Sequence, residues 1–245
     1  MINIQEKLED GTYVCGWKSD PPLTPIAPSY AYYFTEKKIF SEKECEEWNT
    51  YLLKQEQILF DKFRTSRGDG GTGLGATSIT SRYGSFNTLK FDFHLVPKLK
   101  KAILDGIKTI LSVSGNNNWQ ETLYANSWFN VLRQGEEMNI HFHGYHRNSF
   151  YGFHVTLNAT ETFTSYYHPT KFQNDAFHVS NKIGYLTLFP NWIPHSVSPN
   201  KRDIHRISIA GDTFSSTWLD ESISEHLYPD NKNLVELGKV GGIKR

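Results

Sequence analysis

Gly184-Tyr185-Leu186-Thr187-Leu188-Phe189-Pro190-Asn191-Trp192-Ile193-Pro194-His195 reads as a strand, a turn and the opening of a further strand. Its apolar run is too short for a helix and is closed by turn-forming Pro and Asn. The same grammar extends to both sides. Strand-like runs cover Tyr124–Arg133, Met138–His143, Phe150–Asn158, Phe163–Tyr167, Ala176–Val179, Gly184–Phe189, His195–Val197 and Arg206–Phe214. Eight short strands separated by turns predict a mainly β fold with flanking helices: a double-stranded β-helix, the jelly roll of cupin-like proteins. The aromatic content, with 13 Tyr and 16 Phe, favours strands over a helical bundle.

Upstream the pattern changes. Ser41 reads as an N-cap with Glu44 as its capping-box partner, opening a helix from about Glu42 to Phe63. A second helix is predicted over Pro97–Val113, with Leu99, Ile103, Ile107, Ile110 and Leu111 on one face. Two helices ahead of such a barrel are expected to brace one sheet. Residues 1–40 read as irregular to extended, because Pro21, Pro22 and Pro25 interrupt any helix. Within them, Tyr30–Phe34 is an aromatic run of strand type. Thr65–Ser85 is rich in Gly, Ser and Thr but lacks the Gly-Lys-Ser/Thr ending of a phosphate loop. It reads as a surface loop, with a lid over the site as the alternative. The expected organisation is one domain over 1–245. Within it, 1–120 holds an extended segment, the bracing helices and the glycine loop. The jelly-roll core spans 121–217, and 218–245 form a loose C-terminal tail.

Composition excludes several classes. Lys plus Arg equals Asp plus Glu, 26 each, so no global field draws the chain to nucleic acid. Two cysteines, Cys15 and Cys45, form neither a disulfide framework nor a CxxC metal pair. A reduced, cytoplasmic setting is expected. The N-terminus lacks a signal-peptide pattern and no apolar run is long enough for a membrane span. Asn158-Ala159-Thr160 and Arg67-Gly68-Asp69 match short motifs that occur by chance.

The chemistry is concentrated in the strands. Residues i and i+2 of a strand share a face, so His141 and His143 point together while Phe142 points away. The turn before His195 can bring a third imidazole opposite them. Neutral imidazoles suit ferrous iron and other first-row metals, and three ligands on one face leave positions open. Arg206 and Ser208 follow on one strand face, offering a guanidinium fork and a hydroxyl to a carboxylate. His205 should point the other way.

These residues resemble the iron(II)- and 2-oxoglutarate-dependent oxygenases, of the type found in phages and marine bacteria. The resemblance rests on Asn126-Ser127-Trp128-Phe129-Asn130, Gly135, Asn139-Ile140-His141-Phe142-His143 and Ser149–Phe153. It continues through Gly184–His195 and His205–Ala210, and so covers about Tyr124 to Phe214. It implies His141 and His195 as iron ligands. It also implies Arg206 and Ser208 as holders of the distal carboxylate of 2-oxoglutarate, and Asn130 as a residue positioning its other end. The implied reaction couples decarboxylation of 2-oxoglutarate to hydroxylation of a C–H bond by dioxygen, with peptidyl proline one candidate substrate. No further catalytic group is implied beyond these ligands, and a phage-encoded chain would act in its host's cytoplasm.

One departure matters. The family pattern has an acid two residues after the first histidine, and this chain has His143. The expected metal set is His141, His143 and His195; the alternatives are His141 and His195 alone with an open position in place of His143, or a remote acid such as Asp175 or Asp212. His146, His154, His168 and His178 are read as residues behind the ligands or in packing rather than as ligands. Tyr145, Tyr151, Tyr166 and Tyr167 are read as core, with stacking on a substrate ring as the other role. Two other readings remain open at this stage: a cupin-like metal dioxygenase or isomerase without 2-oxoglutarate, and a non-enzymatic jelly-roll metal-binding or virion protein.

Overall fold

The computed structural model describes residues 2–27, 29–63, 68–144, 150–158, 161–168, 176–219 and 233–241. Arg67, Tyr145, His146 and Asp175 lie outside these residues, as does part of the 158–160 motif. In chain order the elements are β1 (Ile2–Lys7), β2 (Tyr13–Lys18), β3 (Ala31–Lys38), α1 (Glu42–Lys62), α2 (Val96–Val113) and β4 (Glu121–Leu132). They continue with β5 (Met138–His141), β6 (Tyr151–Thr156), β7 (Phe163–Tyr167), β8 (Ala176–Ser180), β9 (Tyr185–Pro190), β10 (His195–Val197), β11 (Arg206–Ser215) and β12 (Val235–Val240).

Two antiparallel sheets result, one of eight strands in the order β1-β2-β3-β9-β6-β11-β4-β12 and one of four in the order β5-β10-β7-β8. This is the jelly-roll arrangement expected from the strand pattern, with the chain crossing between the sheets at β4–β5, β5–β6, β6–β7, β8–β9, β9–β10 and β10–β11. Helix α2 packs on the outer face of the larger sheet, against β3, β9 and β12. Its buried face is Leu99, Ile103, Ile107, Ile110 and Leu111, the residues the helical period selects. They join Val155, Leu186, Leu188, Ile207 and Ile209 of the sheet in one core. Helix α1 is anchored by its capping box, in which Ser41 Oγ accepts from the Glu44 amide and Glu44 Oε2 accepts from the Ser41 amide. Caps of this kind contribute about 1 kcal/mol.

Three expectations need correction. Residues 1–40 are not irregular: β1, β2 and β3 form a meander that adds three strands to the larger sheet through β3–β9 pairing. The prolines that argued against structure sit in the β2–β3 connection, where they break no ladder. The C-terminal stretch is not wholly a tail, because Val235–Val240 pairs with β4. Glu236, Gly238 and Lys239 made that segment read as loose, yet Val235 and Leu237 pack against the core and a register shift lies between Glu236 and Gly238. Finally, β5 ends at His141, so His143 lies just beyond the strand, its amide donating to the Asn191 carbonyl at 2.9 Å.

Candidate metal centre

Strand alternation builds the site. On β11, Arg206, Ser208, Ala210 and Asp212 line a cavity of about 170 Å³ between the two sheets. Ile207 and Ile209 face the helices instead. Trp128 and Asn130 of β4 line the same cavity, with His154 of β6, Thr164 of β7 and His195 of β10. His205 is exposed, on the opposite side from Arg206.

His141, His143 and His195 converge. Each offers a ring nitrogen, and these nitrogens lie within 4.8 Å of one another. β5 and β10 pair with His195 opposite His141, which fixes two of the three. The ring centroids of His141 and His195 are 4.3 Å apart, and those of His143 and His195 are 4.9 Å apart. All three Nδ1 atoms face oxygen acceptors: the Asn139 carbonyl at 2.8 Å from His141, the Ile193 carbonyl at 3.0 Å from His195, and Asp212 Oδ1 at 2.8 Å from His143. Such acceptors place the proton on Nδ1 and leave the lone pair on Nε2, the tautomer a metal ligand needs. Burial, reinforced by His143, lowers the His141 imidazole to about 4. Burial, with His141 and His143, holds His195 well below the usual histidine range. Both are therefore neutral at neutral pH, as a ligand must be.

At the other end of the cavity Arg206 is 2% exposed. Its Nε donates to Thr162 Oγ1 and its Nη1 to Ser208 Oγ, both at 3.2 Å. Burial pulls the guanidinium down to about 10, so it remains a cation at neutral pH. Among the described residues no carboxylate pairs with it. A buried cation held only by neutral hydroxyls is costly, and an incoming carboxylate relieves that cost. Asn130 joins the group: Thr80 Oγ1 donates to its Oδ1 at 2.7 Å, and its Nδ2 approaches Ser208 Oγ at 3.5 Å. His154 Nε2 is 2.8 Å from the Tyr166 hydroxyl, while its Nδ1 is buried without a partner. Burial, then Arg206, pushes that imidazole down to about 3, so it too is neutral. The donor set therefore fits both groups: imidazoles for a first-row metal, and a guanidinium with hydroxyl and amide groups for a dicarboxylate.

The glycine-rich segment is part of this cavity. Asp69, Gly70, Thr72, Thr80 and Tyr83 line it. Gly68, Gly70, Gly71, Gly73 and Gly75 all have positive φ, a run of left-handed residues that only glycine adopts cheaply. Asp69 accepts the Gly71 amide at 3.1 Å and the Gly75 amide at 2.9 Å. The Thr72 carbonyl accepts the Asn139 amide at 2.7 Å, which docks the segment beside His141. Arg82 ties its far end to α1 by donating to the Phe63, Ala76 and Ser78 carbonyls. A free surface loop was the first expectation; the structure has a docked wall instead, because backbone pairing and one aspartate supply the order that side-chain packing lacks.

The six residues singled out in the sequence thus fall into two groups facing one cavity: His141, His143 and His195 at one end, and Arg206, Ser208 and Asn130 at the other. Asp212 was read only as a substitute ligand, whereas it stands behind His143. Extending the alternation of Arg206 and Ser208 by two more steps would have placed it on this face. His154 was read as a residue behind the ligands or in packing; it lines the cavity, and the alternation of β6 carried no sign that its Nδ1 would be left unpaired.

Residues 126–212 match the model of the family described as "Putative 2OG-Fe(II) oxygenase". No curated protein matches the chain. Among solved structures the chain is similar to the non-heme monooxygenase ThoJ in its nickel complex, at 16% identity over 73% of this chain and 71% of that one, with a TM-score of 0.49. It is similar to a Pseudomonas putida prolyl-4-hydroxylase at 12% identity over 74% and 86% of the two chains, TM-score 0.48. It is also similar to the non-heme alpha ketoglutarate dependent carbocyclase SnoK from nogalamycin biosynthesis, at 13% identity over 74% and 79%, TM-score 0.49.

Proposed function

We propose a reaction for a chain that belongs, over residues 126–212, to the 2OG-Fe(II) oxygenase superfamily: hydroxylation of a substrate C–H bond, coupled to decarboxylation of 2-oxoglutarate. The observation that carries it is the sharing of one cavity by a three-histidine cluster and a buried arginine with no anionic partner among the described residues. His141, His143 and His195 would hold iron. Arg206 and Ser208 would hold one carboxylate of 2-oxoglutarate, and Asn130 would orient the molecule through its amide. Iron held there would let dioxygen oxidise two partners together: 2-oxoglutarate, which gives two electrons and leaves as succinate and carbon dioxide, and the substrate C–H bond, which gives two more and becomes an alcohol.

The protein's own contribution is position and dryness. Hydrogen bonds to three backbone or carboxylate oxygens fix the imidazole rings before any ligand arrives, so no reorganisation is needed on binding. Phe189 packs against His195 with ring centroids 4.7 Å apart and Trp128 against His143 at 5.3 Å, which excludes water from the ligand rings. Tyr83 and Trp128, 5.6 Å apart, form an aromatic wall on the same cavity. Such a wall suits a substrate with a flat or saturated ring, and a peptidyl proline is the first to test.

A three-imidazole site also suits a cupin-like dioxygenase that needs no cosubstrate. Arg206 disfavours that reading, since its charge would then stay uncompensated. The deciding experiment is anaerobic titration of Fe(II)-loaded protein with 2-oxoglutarate, following the visible charge-transfer band in wild type and Arg206→Ala. A band that weakens sharply in the variant is expected. Iron binding without any band in wild type would refute the 2-oxoglutarate assignment.

A further inference from the structure

The cavity contains a carboxylate that the proposed reaction does not use. Asp212 is 3% exposed, on the same face of β11 as Arg206 and Ser208. A buried carboxylate needs a charged or hydrogen-bonding partner. Here the partner is His143: Oδ1 lies 2.8 Å from Nδ1, with Asp212 buried and His143 half-buried. Among the described residues no Lys or Arg forms an ion pair with Asp212. The backbone makes room for the pair. Gly152 sits opposite Asp212 on β6, and a Cβ there would press on Phe189 at 3.0 Å and on Asp212 Oδ1 at 3.4 Å.

The sequence position of His143 gives the pair its meaning. In the family pattern an acid stands two residues after the first histidine, and an acid bound there brings a negative charge to the metal. An imidazole brings none. A carboxylate behind a metal-bound histidine fixes its tautomer, raises its basicity and returns charge to the centre through the ring.

We infer that Asp212 is a positioning residue of the metal centre. It locks His143 with the proton on Nδ1 and supplies, one imidazole removed from the metal, the negative charge that the missing acidic ligand would supply directly. The inference rests on the reading of the three histidines as metal ligands. It also puts on one strand, β11, both the cation that would receive the cosubstrate and the anion that would balance the metal.

The test uses Co(II) as probe, with affinity measured by competition against a chelating dye and coordination by the visible d–d spectrum, on the full chain. Four proteins are compared: wild type, Asp212→Asn, His143→Ala and the double variant His143→Asp with Asp212→Asn. The amide of Asp212→Asn can still accept from Nδ1–H, so the variant removes charge while keeping the contact. Affinity should fall about 10–100-fold, as for other partners of metal-bound histidines. Unfolding of the metal-free proteins, run in parallel, separates this from a loss of folding. The double variant moves the acid into the ligand position and should recover most of the lost affinity, with an altered spectrum. Wild-type affinity in Asp212→Asn would overturn the inference while leaving the metal site intact. Wild-type affinity in His143→Ala would overturn it too, because Asp212 would then have no ligand to act through. Failure of the wild type to bind Co(II) would remove the metal reading altogether.

Discussion

Replacing Arg206 by Met should separate binding from stability in opposite directions. The guanidinium is 2% exposed, and its bonds to Thr162 and Ser208 are both to neutral hydroxyls. In the absence of an anion the charge is therefore only partly compensated. Met fills a similar volume without a charge. Replacing buried charges with apolar side chains of like size is often neutral or stabilising by about 1–4 kcal/mol. The ligand-free variant should thus unfold at a urea concentration equal to or above that of wild type. For the cosubstrate the sign reverses. A charge pair at about 4 Å with an effective dielectric near 20 is worth about 4 kcal/mol. Losing it corresponds to a several-hundredfold weaker dissociation constant. Urea unfolding in the presence of a chelator gives the first quantity, and calorimetric titration of Ni(II)-loaded protein with 2-oxoglutarate gives the second. A variant that loses more than about 2 kcal/mol of stability yet binds 2-oxoglutarate as wild type does would refute the reasoning, since Arg206 would then be a structural residue.

Three further predictions concern the frame and its response to pH. Gly184→Ala should lower stability by about 3 kcal/mol or more in urea unfolding, because φ is +80° and the new Cβ would meet the Phe40 carbonyl oxygen at 2.1 Å. His141 has a folded-state value lowered to about 4 against 6.5 in the unfolded chain. Its contribution is therefore complete above pH 6.5 and lost progressively as the pH falls toward 4, on the order of 3 kcal/mol. The stability-versus-pH slope of the metal-free protein in that window should flatten by nearly one proton in His141→Asn, and an unchanged slope would contradict the assignment. Asp69→Ala removes the acceptor for the Gly71 and Gly75 amides. It should speed proteolytic cleavage between residues 68 and 78 severalfold while global unfolding moves by only about 1–2 kcal/mol.

The elements legible in the sequence are those with a local signature: a helical period, a short apolar run closed by turn residues, or a cap. Helix α2, strands β6, β7, β9 and β11, and the Ser41 cap all carry that signature. The histidine cluster was legible because His141 and His143 sit two apart and His195 opens a strand. What stayed hidden depends on partners distant in the chain. β12 becomes a strand because β4 offers an edge and α2 a surface, which no local pattern in Val235–Val240 announces. The meander β1–β3 is tied to the core through β9, some 150 residues away. The glycine wall owes its order to the Asp69 carboxylate, which accepts backbone amides, and to the Asn139 amide, which pairs with the Thr72 carbonyl; composition encodes neither contact. Asp212 was visible as an acid, but its contact with His143 spans 69 residues and appears only once β11 lies across the cavity.

β11 has a consequence for how this site tolerates change. One strand carries the cavity groups Arg206, Ser208 and Asp212 on one face and the helix-facing Ile207 and Ile209 on the other. Removing or adding a single residue within it would turn the guanidinium into the apolar layer under α2 and drive isoleucine into the cavity. Point substitutions can retune the site a group at a time, but changes of length cannot. Variation in chain length among functional relatives should therefore collect in the connections, such as 198–205, and leave the spacing from Arg206 to Asp212 fixed. That spacing is a ruler against which any candidate relative can be judged.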